Sequence, residues 1–85
     1  MPDLQTRFQA AVAASRSSIT QRPDNTVLLQ LYGLYKQGTE GDVSTDKPGF
    51  SDLVGRAKWE AWNKLQGVSR EEAMQQYIDL VTSLS

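Results

Sequence analysis

The chain has 85 residues, enough for one domain, with nine basic and ten acidic residues, a net charge of −1, and neither cysteine nor histidine. A domain of this size buries roughly 60–65% of the surface its unfolded chain exposes, which supports one modest core and places any sizeable ligand in a groove or between helices. The composition excludes disulfides, thiolate metal sites and histidine-based acid–base or metal chemistry, and the near-neutral charge provides no field over the whole molecule for a nucleic-acid backbone.

Hydrophobic spacing predicts four helices and no strand. The first runs from about Asp3, a cap, to Ser18, with Phe8, Ala11, Val12 and Ser15 as a thin apolar stripe. The second begins after Pro23, where Asp24 and Asn25 are both good N-caps, and runs to about Thr39, before Gly41. It has two stripes: Val27, Leu31 and Leu34 form one, and Leu28, Tyr32 and Tyr35 the other, turned by about 100°. That is a wide apolar face for a surface helix. Glu40 to Ser51 is a loop rich in turn-formers, and its 12 residues are long for a helix–helix connection.

The third helix starts near Ser51 or Asp52 and ends at Gly67, with its spacing carried by Trp59, Trp62 and Leu65. The fourth opens on a capping box, Ser69-Arg70-Glu71-Glu72, and shows one apolar face through Ala73, Met74, Tyr77, Ile78, Val81 and Leu84. No apolar run approaches the roughly 20 residues that span a bilayer. Met1-Pro2-Asp3 lacks the basic and apolar stretches of a signal peptide. A cytoplasmic protein without stable membrane insertion is expected.

Catalysis has few candidates, because no Ser-His or Cys-His pair exists. Asp42, Ser44 and Asp46 briefly resemble a calcium loop, but Lys47 stands where its glycine belongs and Leu53 where its bidentate glutamate belongs. No glycine-rich phosphate loop is present, so neither a metal nor a cofactor is expected. Two aromatic-plus-lysine clusters remain. One is Tyr32-Gly33-Leu34-Tyr35-Lys36, with Lys36 one turn beyond Tyr32; the other is Lys58-Trp59-Glu60-Ala61-Trp62-Asn63-Lys64. A ring offers a flat face to a base or an aliphatic chain, and a lysine one turn away offers a point charge to phosphate. Taken alone, each cluster reads more readily as core with solvated lysines. Periodicity therefore leaves three readings open: a ligand carrier, a module whose broad second helix receives a partner helix, or a single-strand nucleic-acid binder. The negative charge weighs against the last.

Taken whole, the segment from Tyr32 to Gly49 (YGLYKQGTEGDVSTDKPG) resembles the signature of the acyl-CoA-binding protein family, and Lys58 to Tyr77 (KWEAWNKLQGVSREEAMQQY) resembles its second long match. The first helix matches more loosely, through Phe8, Ala11 and Val12, and one extra residue precedes Pro23. The resemblance covers nearly the whole chain. It implies an all-α, four-helix bundle with up-down-down-up topology and a single acyl-CoA-binding domain over residues 1–85. It further implies a monomeric, non-enzymatic intracellular carrier and pool former that binds medium- and long-chain acyl-CoA esters reversibly and takes no nucleic acid.

The same resemblance implies site roles. Leu28 and Leu29 would line the start of the acyl groove, and Tyr32 would stack near the adenine. Lys36 and Lys58 would meet the 3′-phosphate, with Tyr35 and Tyr77 completing the nucleotide pocket. Arg16 stands where the family often has a lysine, a peripheral phosphate contact. Val54 stands where the family commonly has a ligand-binding lysine, with Arg56 nearby as a substitute cation. Leu34 replaces a frequent histidine, and Gln30 a frequent aromatic residue.

Overall fold

The computed structural model describes residues 3–17 and 24–84. Four helices follow in order, α1 (Leu4–Ser17), α2 (Asn25–Glu40), α3 (Leu53–Asn63) and α4 (Arg70–Leu84), with no strand among the described residues. The all-α, four-helix fold is the expected one. The end of the first helix at Ser18, Pro23 and the extra residue before it lie outside the described residues.

Helix starts follow the side chains that satisfy orphan amides. The Asp3 carboxylate accepts from the Thr6 amide at 2.8 Å, Asp24 from Val27 at 2.9 Å, Asp52 from Gly55 at 2.9 Å, and the Ser69 hydroxyl from Glu72 at 3.1 Å. The end of α3 differs from the expectation. The α-helix stops at Asn63, and residues 64–67 form a tight turn in which the Leu65 and Gln66 amides reach carbonyls three residues back. The Gly67 amide instead donates to Asp42 at 2.9 Å, with Gly67 at φ +91°. That outside acceptor draws the chain off the helical path four residues before the glycine.

Residue pairs give the helix directions. Lys58 sits over Tyr32, Ala61 lies against Gly33, and Trp62 lies under Lys36, so α2 and α3 advance in parallel. Phe8 stacks on Tyr35 while Arg16 and Leu28 share a groove, so α1 and α2 are antiparallel. Gly38 meets Met74 while Leu34 and Leu80 share a groove, so α4 also runs against α2. The result is up-down-down-up. At backbone range α2 packs on α3 and α4, α4 packs on α1, and among the described residues α3 has no helix neighbour except α2.

The core joins α1, α2 and α4 through Phe8, Ala11, Leu31, Leu34, Ala73, Tyr77 and Val81. Burying each of the larger apolar side chains contributes about 1.5–3 kcal/mol. Trp62 anchors α3 separately: its ring is buried and its indole N–H donates to the Gly41 carbonyl at 2.8 Å. The α2–α3 approach is close because residue 33 lacks a side chain; a Cβ there would stand 2.6 Å from the Ala61 carbonyl oxygen. The fully buried Gln37 amide donates to Asp42 at 2.9 Å and to the Val68 carbonyl at 2.8 Å. Asp42 thus ties the end of α2, the long loop and the turn before α4 together. Its carboxyl is held below the ordinary aspartate range by the hydrogen bond from the Gly67 amide and then by that from Gln37. This is the structural use of a residue that a calcium-loop reading would have made a ligand.

Candidate functional site

A groove of about 330 Å³ opens where α1, α2 and α4 meet, lined by Val12, Ser15 and Arg16, by Leu28, Leu31, Tyr32 and Tyr35, and by Tyr77. Five of the nine residues expected at the site therefore share one cleft: Arg16, Leu28, Tyr32, Tyr35 and Tyr77. They meet because the second stripe of α2 turns away from α4 toward the space beside α1. Tyr77 is buried, donates to or accepts from the Ser15 hydroxyl at 2.9 Å, and meets Phe8 edge-on at 5.2 Å between ring centroids. It is a core residue and a groove wall together. Tyr35 is more open, with its ring stacked 6.1 Å from that of Phe8.

Two cations flank the cleft on the α3 side. The Lys58 ammonium lies 5.5 Å from the centroid of the Tyr32 ring, so Tyr32 has the groove on one side and a charge near its face. The Lys36 ammonium lies 4.9 Å from the centroid of the Trp62 ring and is ion-paired with Glu40, one turn further along α2. The hydrogen bond to Glu40, with the Glu40 charge and the two tyrosines adding, raises the Lys36 pKa above the ordinary lysine value against a smaller opposing effect of burial. Lys36 therefore presents a fixed positive charge one turn from Tyr32.

The remaining two residues lie elsewhere. Leu29 faces a second, larger groove of about 740 Å³ between α3 and α4, with Leu34, Ala57, Ala61, Leu65 and Leu80. Leu28 and Leu29 are adjacent in sequence but 100° apart on the helix, and they open onto different clefts. Val54, on the first turn of α3, is 67% exposed, and Leu53 and Phe50 nearby in the sequence are exposed as well. Arg56, the nearby cation, is committed: its guanidinium donates to the Pro48 carbonyl at 3.0 Å and lies over the Phe50 ring at 4.7 Å.

From the sequence, Val12, Ser15 and Leu31 in the cleft and Glu40 beside Lys36 have no site role, and Trp62 has only a place in the second aromatic–lysine cluster. Val12 and Ser15 line the cleft, and both stand on the apolar stripe of α1, so the signal was present. Trp62 supports Lys36 through its ring. Glu40 stands four residues after Lys36, a spacing that places the two side chains side by side on a helix. The chemistry on offer is recognition: an aromatic and aliphatic cleft with cations at its edges. Among the described residues no group of three or more acidic residues could hold a metal ion, and no helix is long and apolar enough to cross a membrane.

The sequence model of the family described as "Acyl CoA binding protein" matches residues 5–81. The acyl-CoA-binding protein homolog of Drosophila melanogaster is 53% identical over 78 residues, spanning 92% of this chain and 90% of that one. The acyl-CoA-binding protein homolog 1 of Caenorhabditis elegans is 47% identical over 72 residues, spanning 85% and 84%. The crystal structure of acyl-CoA-binding protein 2 from Oryza sativa superposes with a TM-score of 0.91 at 41% identity, covering 96% of this chain and 90% of that one.

Proposed function

The chain belongs to the acyl-CoA-binding protein family, and on that premise we propose that it binds medium- and long-chain acyl-CoA esters reversibly as a cytoplasmic, monomeric carrier and pool former, without catalysing a reaction on them. The observation that carries this reading is the convergence of Tyr32, Tyr35 and Tyr77 on one cleft with Lys36 and Lys58 at its edge. Coenzyme A has an adenine, a 3′-phosphate and a pyrophosphate, so it needs ring faces and positive charge in the same place. Tyr32 stacks near the adenine, and Lys36 and Lys58 meet the 3′-phosphate through charge-assisted hydrogen bonds. Arg16, from the opposite wall, is a peripheral phosphate contact.

The acyl chain begins on Leu28. Leu29 opens onto the other, larger groove, and Val54 is exposed on the first turn of α3, so both add apolar surface outside the cleft that Leu28 lines. Valine in place of the family's usual lysine exchanges a cation for methyl groups there. The phosphate end is left to Lys36, Lys58 and Arg16, because Arg56 is already bonded to Pro48.

A calorimetric titration tests the proposal. Palmitoyl-CoA binds tightly with one site per chain, coenzyme A alone binds weakly, and free palmitate binds weakly or not at all. Free palmitate binding as well as the thioester would sink the nucleotide-pocket reading. Saturable binding of a single-stranded oligonucleotide at the same cleft would favour the nucleic-acid alternative.

A further inference from the structure

We propose that Glu40 competes with the ligand's phosphate for the Lys36 ammonium, and so sets how strongly the site rewards a phosphate. The inference rests on the assignment of Lys36 to the phosphate made above. Three observations lead to it. First, Glu40 is ion-paired to Lys36, and the Trp62 ring centroid lies 4.9 Å from the same ammonium. A phosphate that approaches Lys36 therefore meets a carboxylate already in place. It must displace Glu40 or lie beside it, and either course takes away part of the attraction.

Second, helix stability does not account for a glutamate at this position. Glu40 is the last residue of α2, where the helix dipole disfavours an anion. Its pair also runs in the poorer order, with lysine N-terminal to glutamate at i, i+4. Third, Glu40 is held in position. Its backbone carbonyl accepts a hydrogen bond from Arg70 at 3.3 Å, which steadies the end of α2, while the carboxylate stays half exposed and free to turn outward. The Lys36–Glu40 contact is thus a side-chain pair on a steadied backbone, one that a phosphate dianion opens when it takes the ammonium.

Glu40→Gln keeps the shape and removes the competing charge. Measured by calorimetry at low ionic strength, the variant binds palmitoyl-CoA about 2–5-fold more tightly than the parent, the range that one exposed ion pair covers. The gain shrinks in high salt. The palmitoyl thioester of 3′-dephospho-coenzyme A binds parent and variant alike. In a Lys36→Ala background, Glu40→Gln loses its effect.

Unchanged or weaker palmitoyl-CoA binding by Glu40→Gln overturns the proposal. So does an equal gain in the Lys36→Ala background, which would mark a diffuse field effect. If Lys36→Ala alone binds palmitoyl-CoA as the parent does, the assignment of Lys36 to the phosphate fails and the proposal goes with it; that result is distinct from the other two. Circular dichroism checks the fold of each variant, and Glu40→Ala replaces Glu40→Gln if the latter does not fold, with the same outcomes.

Discussion

Lys36 contacts both the Trp62 ring and the Glu40 carboxylate, so its charge is oriented by the protein itself. Replacing it with alanine removes a charge-assisted contact and should weaken palmitoyl-CoA binding by about 1.5–3 kcal/mol. The fold should survive, because a helix pair at i, i+4 contributes only about 0.3–0.5 kcal/mol; a thermal melt beside the titration checks both parts. Asp42 makes a separate prediction about pH. Its folded pKa is depressed, so its contribution to stability is present above the ordinary aspartate value and is lost as pH falls through the lower, folded value. Asp42→Asn keeps an acceptor and removes the titration. Acid unfolding curves of that variant should therefore lose part of their slope below the ordinary aspartate range. Legibility at this scale depends on what each residue touches. Tyr32 and Lys36 stand out in the sequence by chemistry and spacing, but as an ambiguous cluster; the resemblance to the family is what makes them a candidate site. Gln37 does not stand out, because a glutamine outside both stripes looks solvated until the loop folds back and offers Asp42 and Val68 as partners.

Helix starts were readable because a cap is local: Asp24 and Ser69 each bond an amide three residues on. The end of α3 was not, because the acceptor that draws Gly67 away lies 25 residues earlier in the chain. The same limit applied to the two grooves of α2. A helical wheel separates Leu28 from Leu29, but only the placement of α3 between them shows that each faces its own cleft. The α2–α3 contact makes a sharp prediction at Gly33. Alanine in a helix normally gains up to about 1 kcal/mol over glycine. Here the added methyl meets a backbone carbonyl that has little room to yield, and overpacking of this kind costs about 1–3 kcal/mol. Gly33→Ala should therefore lower the midpoint of chemical denaturation and weaken palmitoyl-CoA binding. Gly49→Ala, with nothing within 4 Å of the new Cβ, should do neither.

At the scale of the molecule, the described helices extend over 43 × 28 × 15 Å, too thin a body to enclose a ligand of this size. The core ties α1, α2 and α4 together, while α3 is held by α2, by Trp62 and by the loop that precedes it, through Trp59 to the Thr45 carbonyl at 2.8 Å and Lys47 to Glu60 at 2.6 Å. Regions with few buried apolar contacts open at lower free energy than the core. Hydrogen exchange of the free protein should thus show α3 amides exchanging faster than those in the middle of α2 and α4, and saturating palmitoyl-CoA should slow α3 most. Equal protection of all four helices in the free protein would contradict this. The helix order leaves one further consequence. At backbone range the described helices are joined in series, α1 to α4, α4 to α2 and α2 to α3, with α1 and α2 touching through side chains such as Phe8 and Tyr35, so α3 hangs on a single helix neighbour. On the proposed reading, a phosphate end gripped by Arg16 from α1 and Lys58 from α3 would add a link between these two helices and turn the series into a ring. Cargo would then act as a structural member, and a loaded molecule would tolerate a weakened interface that an empty one could not.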